Sequence, residues 1–350
     1  MEIITREGYP EYEEFVLSHP QGGFTQSTRW QQVKNNWGWE GVISRGEDGK
    51  IKGACGVLIQ KIPALHTSFL YAPRGPVCEL HDRQTLLDLK AGIDELARRH
   101  NAHTFKCDPD VLANDEEFLC IMKEMGFSRF YGPEGFETIQ ARFNYRLPIR
   151  GRSEQELFMG LTQKTRYNVR VAQKKGVTVQ VCGPERLDDF HRLMQVTGER
   201  DHFNIRPKEY FARMLEALGE HARLYIGFYE GRPVSGALTT NFAGKACYVY
   251  GASDNVYRNV MPNYLMQWEM IRWAVETGCE VYDFQGISGN LSEENNPMYG
   301  LYRFKRGFGG QIDELCGEFN YEYHPALARL VEKALEARSA AKRLRHGGGH

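Results

Sequence analysis

The sequence predicts an α/β protein made of two mixed β-sheets flanked by helices. Three observations carry this expectation. Short apolar, strand-like runs alternate with amphipathic helical segments along the chain. One order of elements, hairpin, strand, helix, strand, occurs twice. A chain of 350 residues, 41% hydrophobic and 25% charged, has material for roughly two globular domains with a sizeable core.

In the first unit the turn Asp48-Gly49-Lys50 leads into a strand over 53–60, and a second strand covers 68–71. Residues 82–100 place Leu86, Leu87, Leu89, Ile93 and Leu96 largely on one helical face. A strand over 104–107 then closes the unit at Asp108-Pro109. The second unit opens at the turn Glu230-Gly231-Arg232-Pro233, with strands near 234–240 and 246–250. A helix over 263–277 follows, with Gly278 as its C-cap, and a strand over 280–284 closes the unit. Identity between the halves is low, so the repeat is one of pattern; two unrelated α/β domains are the competing reading. The break around Pro148 and Gly151 sets the expected domains at 1–147 and 148–317. A terminal helix within 318–344, most clearly amphipathic from 325 onward, is expected to pack back on the first domain.

Composition narrows the function classes. The formal net charge is -1, so any binding of nucleic acid or phosphate needs a local basic patch. The eight cysteines are scattered, no two form a CxxC, and most sit in apolar strand-like runs. Reduced core thiols are expected, with no zinc or other metal site and no bound cofactor. The N-terminal residues lack the apolar stretch of a signal peptide, and no run approaches the ~20 apolar residues of a membrane span. The expected location is the cytoplasm, with any lipid substrate met at the inner face of the plasma membrane.

Several segments carry residue types suited to chemistry. Within 24–34, Ser27 is positioned to cap a helix in which Trp30 and Lys34 are i,i+4 neighbours. Lys34 is a mobile ammonium suited to phosphate, or simply an exposed helix lysine. The turn Tyr71-Ala72-Pro73-Arg74-Gly75-Pro76 is rigid and mainly structural, with Arg74 close enough in sequence to support a site. Asp108 stands at a strand end, where it can accept a proton from an attacking amine or cap the next segment. The stretch 162–176 holds five basic residues and no acids, with Arg166, Arg170 and Lys174 at i,i+4,i+8. Such a row suits a phosphate backbone, or forms a solvated basic face. Arg206 precedes a proline-started helix and can bind a phosphate bidentately or pair with a nearby acid. Lys305, among aromatics and glycines in 300–310, can stabilise negative charge on a carbonyl oxygen.

As an ordered set over about residues 20–320, these stretches resemble the FemABX family of peptidoglycan aminoacyltransferases. The matching segments are 24–34, 71–77, 106–110, 164–176, 206–211, 248–253, 261–268 and 282–310. The resemblance implies two GNAT-like domains in tandem with a site in the cleft between them. It also implies the compact type, because no sustained heptads mark a coiled-coil arm. By the same resemblance Lys34 and Arg206 bind the diphosphate of a cell-wall precursor, and Tyr210 and Tyr250 contact substrate. Asp108 matches the carboxylate proposed as base, and Phe304 and Lys305 match a pair near the transferring acyl group. The implied partners are aminoacyl-tRNA, as co-substrate, and either lipid II or UDP-MurNAc-pentapeptide. Lys164, Arg166, Arg170 and Lys174 are the expected tRNA contacts.

Two other readings compete with tRNA-dependent transfer to a peptide stem. One is a GNAT-type N-acyltransferase using acyl-CoA, but Gln285-Gly286-Ile287-Ser288-Gly289 lacks the spacing of a pyrophosphate-cradling loop. The other is a non-catalytic protein that binds precursor or tRNA.

Overall fold

The computed structural model describes residues 1–292, 296 and 298–334. In its first half the elements run β1 (Glu2–Ile3), α1 (Tyr9–Ser18), α2 (Trp30–Val33), β2 (Gly38–Arg45), β3 (Ile51–Ile62), β4 (Thr67–Ala72), β5 (Val77–Cys78), α3 (Arg83–Arg99), β6 (Ala102–Cys107), α4 (Glu116–Glu124) and β7 (Ser128–Phe130). The second half runs β8 (Phe143–Pro148), α5 (Glu154–Gly160), α6 (Gln163–Lys174), β9 (Thr178–Cys182), α7 (Leu187–Asp201), α8 (Lys208–Leu218), β10 (Ala222–Tyr229), β11 (Arg232–Phe242), β12 (Lys245–Ser253), α9 (Pro262–Glu276), β13 (Val281–Ile287), α10 (Tyr299–Arg306), β14 (Gln311–Glu314) and β15 (Glu318–Glu322).

Local sequence signals explain most of these limits. Asp82 accepts the Thr85 amide and starts α3, while Thr162 accepts the Thr165 amide and starts α6. Gly176 and Gly278 take positive φ just past the ends of α6 and α9, a conformation that costs a residue without Cβ little. Ser27 behaves otherwise than expected. Its hydroxyl binds the Glu13 carboxylate and accepts the Arg29 amide. The helix beyond it is a single turn, and Lys34 sits just past its end.

The two halves repeat the same topology. In one sheet β2, β3 and β4 are antiparallel neighbours and β6 joins β4 in parallel. In the other, β10, β11, β12 and β13 repeat that order and those directions. Each parallel step crosses over through one helix, α3 or α9, as a parallel connection requires. The sixth place is filled crosswise. β15, from the end of the chain, inserts between β6 and β7. β8, which follows β7 in sequence, inserts between β13 and β14.

This exchange corrects two expectations. The second sheet begins at Phe143, so 143–147 do not stay with the first half. Residues 318–322 return to the first sheet as a strand, where a helix was expected. Helix does follow at 325–334, and the remainder of that segment lies outside the described residues.

A continuous hydrophobic cluster fills the space between the sheets. Tyr12, Trp30, Leu58 and Tyr71 from the first half pack with Phe190, Tyr210, Phe211 and Leu238 from the second. Separate clusters lie behind each sheet, one under α3 and α4 and one under α6, α9 and α10. Helices α2 and α8, which occupy equivalent places in the repeat, pack against each other in the middle layer. The cysteines are all free, and most are buried. No described helix is long and apolar enough to cross a membrane.

Arg146, on the exchanged strand β8, ties the halves together. Its guanidinium lies 2.7 Å from Asp110, 2.9 Å from Asp283 and 3.6 Å from Asp313. Lys245 adds a contact to Asp110 at 3.1 Å. Burial opposes ionisation of Asp110, but the charges of Arg146, Lys245 and Arg74 outweigh it and hold this carboxyl far below the usual range. Arg146→Leu leaves buried carboxylates without their guanidinium. The expected loss is about 3–5 kcal/mol in urea unfolding. Because the folded-state pKa of Asp110 is depressed, its contribution is present above the unfolded value near 3.9 and fades as pH falls below about 4. The urea midpoint of wild type should therefore drop through that range, and the Arg146→Leu midpoint should drop less.

Candidate functional site

The seam between α2 and α8 gathers the cations Lys34, Arg206 and Arg213 around one tyrosine ring. Lys34, at the end of α2, carries its ammonium 5.7 Å from the Trp30 ring and 5.6 Å from the Tyr210 ring. Arg206, just before α8, sits 5.3 Å from the same Tyr210 ring, and Arg213 sits 5.9 Å from it. Arg213 also donates to the Val33 carbonyl across the seam at 3.4 Å. Among the described residues neither Lys34 nor Arg206 has a carboxylate partner. Burial lowers the Lys34 pKa to about 8, and the Arg206 charge adds to the shift. Tyr210 is buried, and its ring lies 6.2 Å from that of Tyr250. Two cations over one aromatic ring without a carboxylate partner, Lys34 half-buried and Arg206 exposed, suit a multiply charged anion. Lys34, Arg206, Tyr210 and Tyr250 are thus brought together, the first from one repeat and the other three from the second.

A row of rings leads away from Lys34 along the inner face of the first sheet. Trp37 packs edge-on against Phe69 at 6.1 Å, and Phe69 lies parallel to Tyr71 at 6.3 Å. Phe69 and Tyr71 share a face because strand side chains alternate. The parallel register sets Tyr71 beside Lys106 and Ala72 beside Cys107, so the next residue, Asp108, emerges at the same sheet edge.

Asp108 is buried there. It accepts the Tyr71 hydroxyl at 2.5 Å and the Arg74 amide at 2.8 Å. Arg74 adopts φ 57°, which turns its N–H toward the carboxylate. Burial raises the Asp108 pKa to about 6, against the opposing pull of the Arg74 charge, the Arg74 N–H and Tyr71. The Asp108 side chain is therefore held by contacts from the 71–76 turn and does not cap the segment after it.

Lys305 approaches from the second repeat. Residue Gln285 has φ 64°, at an irregularity in the pairing of β13 with β8. The turned carbonyls of Gln285 and Gly286 accept the Lys305 ammonium at 3.2 and 2.7 Å. An ammonium has three donors, so two carbonyls leave one for another partner. Burial lowers the Lys305 pKa to about 7, with Asp283 pulling the other way. Phe304 packs on Tyr264 at 5.0 Å and Phe308 at 5.4 Å. A chain of contacts joins the Lys305 and Asp108 environments. Arg74 donates to the Ala141 carbonyl at 2.7 Å, and a Cβ on Gly286 would lie 2.6 Å from the Ala141 Cβ.

The basic helix α6 stands apart, on the opposite face of the second sheet from Lys34. Lys164, Arg170 and Lys174 are exposed. Arg166 departs from a single basic face, because its guanidinium is folded back onto the carbonyls of Met159 and Leu161. Arg170 lies over Phe158 at 5.4 Å. The N-terminus of α6 meets the end of α10, where the Thr162 amide donates to the Gly307 carbonyl at 2.9 Å. Tyr71 and Gln285 fell within segments read for other reasons, the 71–76 turn and the 285–289 run, and Trp37 was not singled out in sequence. The one available signal for Tyr71 was the alternation Phe69-x-Tyr71 in the strand expected over 68–71.

A model described as the FemAB family matches residues 4–231 and 228–335. A lipid II:glycine glycyltransferase of Staphylococcus haemolyticus (strain JCSC1435) is 30% identical over 402 aligned residues, covering 95% of this chain and 96% of the relative. One from Staphylococcus epidermidis (strain ATCC 12228 / FDA PCI 1200) is 31% identical over 399, covering 95% of each. These alignments are longer than the 350-residue chain, so the relatives hold inserted residues that this chain lacks. A solved structure described as the crystal structure of FemX matches with TM-score 0.87 and 28% identity, over 95% of this chain and 100% of that one. A tandem GNAT protein from the clavulanic acid biosynthesis pathway matches with TM-score 0.53 and 14% identity, over 90% of this chain and 95% of that one, a likeness of fold.

The seam makes a pH-dependent prediction. Lys34 is charged below about pH 8, so affinity for a diphosphate diester should fall as pH rises from 7 to 9, by calorimetry. Lys34→Met should weaken binding roughly tenfold to a hundredfold at pH 7 and remove most of that pH dependence. Equal affinity in the variant would refute the anion site.

Proposed function

The chain belongs to the FemAB family, and from that membership we propose that it is an aminoacyltransferase acting on the stem peptide of a lipid-linked peptidoglycan precursor in interpeptide-bridge formation. The observation that carries this reading is the match, along 95% of the chain, to enzymes named lipid II:glycine glycyltransferase. The seam supports it independently. Lys34 and Arg206 suit a diphosphate, and Tyr210 and Tyr250 offer rings and hydroxyls beside it. The row Trp37, Phe69, Tyr71 gives an extended peptide a surface leading toward Asp108.

The donor in this proposal is aminoacyl-tRNA, and no cofactor is needed because the ester is already activated. The acceptor amine attacks the ester carbonyl as the neutral base. The new C–N bond forms, and negative charge gathers on the former carbonyl oxygen, where the remaining donor of Lys305 can meet it. Asp108 takes the proton released by the amine. On collapse the ester C–O bond breaks, and that proton passes to the departing ribose oxygen. Phe304 packs the wall behind Lys305.

The exposed cations of α6 suit the acceptor arm of the tRNA. Lys164, Arg170 and Lys174 have no carboxylate partner among the described residues, and the helix abuts α10 at Gly307, two residues beyond Lys305. Arg166 would contribute by fixing the helix start. Docking of the protein at the inner face of the plasma membrane is part of the same proposal, because the acceptor is lipid-linked.

The direct test incubates the protein with lipid II and a pool of charged tRNAs and reads product mass, which also identifies the amino acid. Ribonuclease treatment should abolish transfer; survival of transfer, or dependence on acyl-CoA, would overturn the donor assignment. Lys305→Met should lower turnover by about a hundredfold or more and change precursor affinity far less. Unchanged turnover would remove Lys305 from the reaction.

A further inference from the structure

We propose that Tyr71 is a positioning residue for the transfer reaction, its hydroxyl holding the Asp108 carboxylate ionised and aimed to receive the proton of the acceptor amine. The inference rests on the reading of Asp108 as the base. Its own ground is geometric. Tyr71 is buried at the end of the ring row, with its hydroxyl 2.5 Å from Asp108 Oδ2. The other oxygen, Oδ1, is taken by the Arg74 amide at 2.8 Å. The Gln140 side chain bears on the same Tyr71 hydroxyl from the 131–141 loop. A phenol that accepts from Gln140 is left with its single O–H directed at Asp108. Burial, and then the Asp108 charge, push the Tyr71 phenol well above its usual pKa. It therefore keeps its proton throughout the reaction and acts as a fixed donor.

The surroundings show why such a donor matters. Asp108 is fully enclosed, and enclosure favours the neutral acid, which cannot take a proton. Arg74 lowers its pKa through charge and N–H, and Glu318 on β15 raises it. Glu318 is itself paired with Lys106 at 2.7 Å. The thiols of Cys107 and Cys316 are buried and neutral, with pKa values pushed upward. That leaves Tyr71 as the side-chain hydrogen bond that favours the ionised form directly. The proton balance is simple. The amine proton moves to Asp108, then to the leaving ribose oxygen, and the carboxylate returns to accepting from Tyr71.

The experiment compares wild type, Tyr71→Phe and Asp108→Asn in two measurements on the intact protein. The first is carbon-13 NMR of aspartate carboxyl carbons across pH, with the Asp108 signal identified by its loss in Asp108→Asn. The second is the rate of transfer to lipid II from charged tRNA between pH 5.5 and 7.5, corrected for the neutral fraction of the acceptor amine. In Tyr71→Phe the NMR midpoint should rise by about one pH unit, and the acid limb of the rate should rise with it. The rate at pH 6, relative to the variant's own plateau, should then fall roughly fivefold. An unmoved NMR midpoint in Tyr71→Phe overturns the proposal. So does a moved midpoint with an unmoved limb, when Asp108→Asn abolishes that limb. A limb that persists in Asp108→Asn locates the failure in the reading of Asp108 as base.

Discussion

The architecture depends on a guanidinium that has changed sides. Arg146 is carried by β8, a strand that follows the first repeat in sequence and pairs inside the second. From there it binds Asp110, at the end of the first repeat's parallel strands, together with Asp283 and Asp313. A buried ion cluster of this kind adds little net stability by itself, because desolvation offsets most of the Coulomb attraction. Its effect is on register. Once the charges are enclosed, any shift of β8 against β13 strands a carboxylate, so one alignment of the halves is strongly favoured. Asp108 lies two residues before Asp110 and Gln285 two after Asp283. The alignment that satisfies Arg146 therefore also sets the chemical end of the site.

That end is assembled from both repeats, as is the anion end. Lys34, Trp37, Tyr71 and Asp108 come from the first repeat, and Arg206, Tyr210, Tyr250 and Lys305 from the second. Neither half alone carries the full set of groups that the proposed transfer uses. The α2–α8 contact brings the anion-binding groups together at one end of the seam. The Arg74–Ala141–Gly286 contacts join the Asp108 and Lys305 environments at the other. Between them the aromatic row supplies an apolar floor without charged groups of its own.

The parts of this arrangement that were legible in the sequence are those decided locally. The twofold order of hairpin, strand, helix and strand follows from alternation, turn residues and caps within a few residues of each boundary. The individual cations and the Asp108 strand end were recognisable because their residue types are unusual in such surroundings. The crossing of β8 and β15 was not legible. Both are short, and their partners are chosen by pairing over long sequence distances, so a boundary placed at Pro148 cut through a strand of the other sheet. The short α2 was misread for a related reason. Ser27 has a cap-forming side chain, but Glu13 captures its hydroxyl. Tyr71 was hidden because an aromatic in a strand is ordinary core, and only the parallel register shows what its hydroxyl meets.

The exchange of strands also has a temporal meaning. A ribosome delivers the first half of the chain long before residue 318. Until β15 emerges, β6 and β7 have no strand between them, and the first sheet is left with an open slot. Meanwhile β8 is available, with a free edge and no partner of its own until β13 and β14 have been made. The nascent chain thus carries an unfilled groove and an unplaced strand at the same time. Pairing them with each other within the first half is the obvious wrong outcome. Arg146 works against it, since a guanidinium on β8 finds its full set of carboxylates only after the second half has formed. The residue that fixes the register of the finished protein is thus satisfied in full by one pairing of β8 alone.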